Sequence, residues 1–241
     1  MKEVLHLISL RTVNYSDRHN ILSAYTLERG PMSFLTPAGN GREASRRRAL
    51  LMPMGMVECV ADIRPGRDIH PISAPRMLAP LQSLRCSPLK SSLAMFLAES
   101  LGSLLREAQP DAVLWHFIEQ SVIALDSLPD SRIANFHITF LTRLANIVGI
   151  WPDSTGFRMG MVFDLIDARF RHSAPTHPAF IAGSRAAMVA LLTRITYNNM
   201  YRLRLTRIQR AELLDAVLHY YTLHYAPLDS LKSTDVLRAL F

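Results

Sequence analysis

The 241-residue chain predicts an α+β protein, with a small five-stranded β-barrel followed by a mostly α-helical domain. Three observations predict it. Residues 1–80 break into five short apolar runs separated by turn residues, the mark of short strands. One long connection, rich in glycine and arginine, falls between the third and fourth runs. From about residue 83 the apolar spacing changes from alternation to a helical period. The expected domains are therefore 1–80 and 81–241, the second with an irregular, hairpin-bearing insertion at about 151–181.

The first expected strand is Val4–Leu10 and the second Asn20–Thr26. Glu28-Arg29-Gly30 supplies a tight turn, with glycine free to take positive φ. Met32–Thr36 closes the hairpin, Leu50–Ala61 is the fourth strand, and Ile69–Arg76 the fifth, after the turn Arg64-Pro65-Gly66-Arg67. Five short strands with one long loop fit an OB-type barrel. An SH3-like barrel fits the same pattern, and periodicity alone does not choose between them.

In the helical part, Leu93, Phe96, Leu97, Leu101, Leu104 and Leu105 share one face of a helix that Pro110 ends. Asp111 caps the next helix, with Phe117, Ile118, Val122 and Leu125 inward, and Pro129-Asp130-Ser131 breaks it. Ile133, Phe136, Phe140, Leu144 and Ile147 make a third inward face, ending at Gly149 and Pro152. A hairpin is expected across Met161–Asp164 and Ala168–Phe170. Helix resumes at Ser184 with Met188, Leu191, Leu192 and Ile195 inward. Thr206 and Gln209 form a capping box for a helix carrying Leu213, Leu214, Val217, Leu218 and Tyr221, and Ser233 caps a last turn.

Composition excludes several classes. No run of about 18 apolar residues occurs, so no membrane-spanning helix is expected. Glu3, His6, Arg11 and Asp17 interrupt the apolar core that a secretory signal needs. Two cysteines, Cys59 and Cys86, make neither a disulfide framework nor a four-cysteine zinc site, which suits a reducing cytoplasm. There is no phosphate-binding glycine loop ending in Gly-Lys-Ser/Thr, no Gly-x-Ser-x-Gly and no His-Glu-x-x-His, so no catalytic residue is assigned. His172 with His177, and His219 with His224, are spaced so that helical rings would diverge by about 140°, poor for one metal. Asp164 and Asp167 read as a solvated turn, and Cys59 as a small core residue.

Charge is the informative feature. The net charge is +7, and only Lys2, Lys90 and Lys232 are lysines, leaving 24 arginines. The guanidinium fork suits phosphate and stacks on bases, and excess positive charge draws polyanions through counterion release. Arg42, Arg46, Arg47 and Arg48 crowd the long loop Gly39–Arg48 against a single acid, Glu43. They are expected to clamp phosphates beside the barrel. Tyr15, Tyr25 and Phe34 are nearby stacking candidates, with Tyr15 the one expected in an exposed loop. A second basic zone lies between Asp167 and Glu212, where no acid occurs and Arg202, Arg204, Arg207 and Arg210 follow Tyr197 and Tyr201. It predicts a surface for nucleic acid or for an acidic protein tail. A protein-interaction adaptor that binds an acidic peptide, with only incidental DNA contact, is the competing reading.

Several stretches together resemble a known family. They are Leu10-Arg11-Thr12-Val13-Asn14-Tyr15-Ser16-Asp17, Tyr25-Thr26-Leu27-Glu28-Arg29-Gly30, the Gly-Asn-Gly-Arg loop, and Ala49-Leu50-Leu51-Met52-Pro53-Met54. Near the end come Tyr220-Tyr221-Thr222-Leu223-His224 and Leu231–Phe241. In order and spacing the chain resembles the bacterial recombination mediator RecO, in a Bacteroidetes-like form. The resemblance implies an OB-fold followed by a helical domain. It implies a non-enzymatic DNA-repair role in a RecFOR-type pathway, with binding to single- and double-stranded DNA and strand annealing. With RecR such proteins help load RecA onto DNA coated by the single-stranded-DNA-binding protein, whose acidic C-terminal tail the helical domain binds. A cytoplasmic, nucleoid-associated location follows. The resemblance matches Arg42, Arg46, Arg47 and Arg48 to the basic barrel loop, and Arg11 more weakly. A tail ending in acids and an aromatic wants an apolar groove rimmed by arginine; Arg132 and Arg143 beside Phe136 and Phe140 are the candidates. Many family members hold zinc with four cysteines in the region corresponding to 151–181. This sequence has no cysteine there, so no cofactor or metal is assigned and packing is expected to hold the hairpin.

Overall fold

A computed structural model of the chain describes residues 1–228 and 231–241. Five strands close into a barrel: β1 (Lys2–Ser16), β2 (His19–Thr26), β3 (Gly30–Pro37), β4 (Met56–Asp62) and β5 (Ile69–Met77). Their order is β1-β2-β3-β5-β4, closing back on β1. Only β3 and β5 run parallel. Because β3 pairs with β5, the chain leaving β3 must cross the barrel to reach β4. Alternation fills the interior with Leu5, Leu7, Leu22, Ala24, Phe34, Val57, Cys59 and Ala61, and Leu51 joins them from outside the strands. Each fully buried leucine or phenylalanine stabilises by about 1.5–3 kcal/mol.

Tyr25 lies on the opposite, outward face of β2, yet it is fully buried. Residues 108–111 cover it. Its hydroxyl donates to the Gln109 carbonyl at 3.3 Å and accepts from the Asp111 amide at 3.1 Å. The turn that begins β3 comes close to the same segment: a Cβ on Gly30 would sit 3.0 Å from the Pro110 nitrogen, and Gly30 holds φ +71. Glycine is required there on both counts.

The structure corrects several local expectations. The glycine-arginine connection is not a loop throughout, because Arg42–Leu50 form helix α1. It has no buried residue, so no apolar period announced it. Alanine, glutamate and arginine are good helix formers, and Glu43 pairs with Arg47 one turn on at 3.2 Å. The fourth strand starts at Met56 rather than Leu50. β1 runs on to Ser16, so Asn14 and Tyr15 lie in a strand and not in a turn. Ser233 begins helix α8 rather than capping it.

The helices of the first half are α2 (Gln82–Cys86), α3 (Pro88–Leu104) and α4 (Ala112–Ser127). Ser87 caps α3 by accepting from the Lys90 amide, and Asp111 caps α4 through the Val113 and Leu114 amides. Lys90 is buried; its ammonium donates to Ser83 Oγ at 2.6 Å and to the Asp126 carbonyl at 2.7 Å, joining α2, α3 and α4. Contacts divide the chain into two compact units, Met1–Leu128 and Pro129–Phe241. Strands give way to helices near residue 80, but α2, α3 and α4 fall in the same unit as the barrel.

The second unit contains α5 (Phe136–Ile147), a small sheet, α6 (Ser184–Leu192), α7 (Arg207–His224) and α8 (Ser233–Leu240). The sheet is β6 (Val162–Asp164), β7 (Arg169–Arg171) and β8 (Phe180–Ile181), in the order β7-β6-β8. The expected hairpin is thus present, with a third short strand added. The capping box at Thr206 and Gln209 is complete. Leu191, expected inward on α6, is half exposed.

Packing does not act alone on the hairpin. Asp164 is fully buried rather than solvated, with Arg171 Nε 2.8 Å from one oxygen and His177 Nε2 3.4 Å from the other. Burial opposes ionisation of Asp164, yet the Asp167 and Ile166 amides and the nearby His177 hold its carboxyl below the usual range. Asp167 pairs with Arg169 and Arg171. The second histidine pair also separates: His224 Nε2 contacts the Leu165 carbonyl at 2.6 Å, while His219 is exposed.

Candidate nucleic-acid interface

The barrel exposes one end of its β1-β2-β3 face. Register places Arg11 beside Ser23 and Ser33, and Val13 beside Ile21 and Leu35. Arg11 is exposed and its side chain has no partner among the described residues. Tyr15 follows at an irregularity in the β1–β2 pairing between Asn14 and Ser16 and is 66% exposed. Bulges of this kind re-aim a side chain. Phe34 belongs to the barrel core and Tyr25 lies under residues 108–111, so neither stacking candidate faces solvent.

The four clustered arginines divide into two pairs. Arg47 Nη1 donates to the Pro37 carbonyl at 2.7 Å, and Arg48 Nη1 to the Gly39 carbonyl at 2.6 Å. These two brace the connection between β3 and α1. Arg42 and Arg46 are exposed, one helical turn apart on the same face of α1, and their side chains have no partner among the described residues. Leu50 and Leu51 at the end of α1 pack on the barrel core and anchor it.

In the helical unit the arginines also separate by role. Arg210 is not a free cation. Its guanidinium donates to Asn135 Oδ1 at 2.9 Å, to the Leu205 carbonyl at 3.1 Å and to the main-chain oxygen of Phe241. Burial lowers its pKa. Asn135 in turn donates to the Met200 and Leu203 carbonyls, at 3.0 and 2.7 Å. Arg207 donates to the Arg238 carbonyl at 2.6 Å. Arg204 is exposed with no side-chain partner among the described residues.

Arg202 joins the residues expected to hold an acidic tail. Its guanidinium lies 5.8 Å from the Tyr201 ring centre, and that of Arg132 lies 4.8 Å from the same ring. Arg143 sits 5.6 Å from the Tyr197 ring, which stacks on Phe136 at 4.6 Å. Phe136 and Phe140 are themselves fully buried, so they serve the core and line no groove. The aromatic at the surface is Tyr201, which the tail assignment omitted; its spacing among the arginines was the available signal.

Cys59 lies inside the barrel, and burial, then the charges of Glu28 and Glu58, pushes its thiol up to about 12. It is a core residue, not a nucleophile. No group of three or more histidine, cysteine, aspartate or glutamate side chains suited to a metal occurs among the described residues. No helix among them is long and apolar enough to cross a membrane.

The fold defines a class: a closed five-stranded barrel and helices, with exposed arginines on the barrel unit and on the helical unit. The comparisons define the family. Residues 86–235 match the model described as recombination protein O C terminal. The chain is 37% identical over 234 residues to the DNA repair protein RecO of Phocaeicola vulgatus, covering 97% of both chains. It is 33% identical over 242 residues to the DNA repair protein RecO of Porphyromonas gingivalis, covering 99% of this chain and 98% of that one. The chain belongs to the RecO family, and its barrel is the OB-fold of that family.

Proposed function

We propose that this chain is a non-enzymatic recombination mediator of DNA repair that binds single- and double-stranded DNA and anneals complementary strands. The observation that carries this is the pair Arg42 and Arg46, unpartnered on a helix braced to the barrel by Arg47 and Arg48. A preformed cationic face loses little conformational entropy on meeting phosphates. Arg11 extends the barrel site, and Arg202 and Arg204 supply cations on the helical unit. Neutralising phosphates on two strands lowers their mutual repulsion and lets bases meet. Family membership supports the further roles: acting with RecR to load RecA, in the cytoplasm beside the nucleoid, on DNA coated by the single-stranded-DNA-binding protein.

For that protein's acidic tail we assign Arg132, Arg143 and Arg202 around Tyr201 and Tyr197, a cluster to which the acid-free stretch contributes Tyr197, Tyr201 and Arg202. Fluorescence anisotropy with a labelled single strand and a labelled duplex, at two salt concentrations, tests the proposal. The expected result is binding of both that weakens steeply with salt. An acidic tail peptide that binds tightly, with hardly any binding of either DNA, would establish the adaptor reading in its place.

A further inference from the structure

We infer that the chain grips nucleic acid by its phosphates and leaves the bases unstacked, an inference that rests on the DNA-binding reading above. Proteins that hold single strands by their bases lay successive bases on aromatic faces. This chain has spent its aromatic faces elsewhere. Among the described residues only Tyr15, Tyr201 and Tyr225 are exposed aromatics.

In the barrel, the outward Tyr25 is sealed by residues 108–111 and the inward Phe34 is core. Apart from Tyr15, the outward positions of β1, β2 and β3 there include Arg11 beside Ser23 and Ser33, and Val13 beside Ile21 and Leu35. Short polar and aliphatic side chains present no π-face to a base. In the helical unit, Tyr197 is held between Phe136 and Arg143, and Tyr201 carries the guanidiniums of Arg132 and Arg202 against its ring. Cationic donors are plentiful by contrast: the side chains of Arg11, Arg42, Arg46, Arg185, Arg194 and Arg204 are exposed and have no partner among the described residues. The balance of surface chemistry is for backbone and against base. A strand held this way keeps its Watson–Crick edges free, and a duplex presents the same phosphates as a single strand.

Three labelled oligonucleotides of equal length test this: oligo(dT), the same backbone with abasic spacers, and oligo(dT) with neutral methylphosphonate linkages. The abasic strand is expected to bind within about fivefold of oligo(dT) with the same salt slope, and the methylphosphonate strand to lose measurable binding. One stacked base is worth at least about fivefold, so an abasic strand weaker than that, beside normal oligo(dT) binding, overturns the inference and leaves the DNA-binding reading standing. Failure of oligo(dT) itself to bind sinks the DNA-binding reading first. Tyr15→Ala, at an exposed strand position, is expected to change oligo(dT) affinity by less than fivefold; a larger loss with an intact circular dichroism spectrum also overturns it.

Discussion

Arg47 donates its guanidinium to the carbonyl oxygen of Pro37, 2.7 Å away, and so ties helix α1 to the end of strand β3. Arg48 repeats the tie at Gly39. A run of three arginines therefore contains two braces and one free cation, with Arg42 completing the free pair one turn earlier.

This division predicts unequal effects on DNA binding. Arg42→Ala with Arg46→Ala is expected to weaken binding and to flatten the plot of log affinity against log salt by about 1.4 for single-stranded DNA, two phosphate contacts' worth. Arg47→Ala with Arg48→Ala is expected to weaken binding with a smaller change of slope, because it loosens the platform rather than removing ligands. Anisotropy titrations across a salt series decide; equal slopes for the two double variants would refute the division.

Arg210 is expected to matter for folding and not for DNA. Its substitution by alanine strands Asn135 Oδ1 and two carbonyls without their charged donor. Loss of such half-buried, charge-assisted bonds costs about 2–4 kcal/mol. Urea denaturation is expected to show that loss, while the folded fraction keeps its affinity for DNA. Normal stability with weakened DNA binding would return Arg210 to the binding surface.

His137 sets an acid limit on stability. It is buried, and burial, then the charge of Arg210, pushes its pKa from 6.5 down to about 3. Between those values the unfolded chain binds more protons than the folded one, so stability rises with pH across that window. It is complete above about 6.5 and is lost progressively as pH falls toward 3. Asp164 and Asp167, both held below the usual range, add a further loss at lower pH. Urea midpoints at pH 7, 5 and 4 are expected to fall steeply for the native chain and less for His137→Gln; parallel curves would count against this assignment.

The two cysteines are expected to differ in reactivity. Cys86 is exposed at the end of α2, whereas Cys59 is buried with its thiol pushed up to about 12. Thiol titration of the folded protein should find one reactive group, and two after denaturation. Rapid native labelling of Cys59 would mean that the barrel opens or is packed differently.

Much of this was legible in the residues. Turn signals and short apolar runs placed five strands, apolar periods placed α3, α4, α5 and α7, and the Thr206–Gln209 spacing announced its capping box, because these depend on neighbours close in sequence. Helix α1 escaped because none of its residues is fully buried, so it carries no apolar period.

The order of residues by itself determined the barrel-then-helices plan, the excess of arginine, and the two basic stretches in which to look. It did not determine which arginines are free. Arg210 and Arg204 look alike in sequence; one is consumed by Asn135, Leu205 and Phe241, and the other has no partner among the described residues. Sequence set Tyr15 apart as the exposed ring, but nothing in it showed that residues 108–111 fold over the outward-facing Tyr25. Only the tertiary structure decides such cases. A guanidinium or a ring is available to a ligand when no part of its own chain satisfies it first, and those competing groups come from positions remote in sequence.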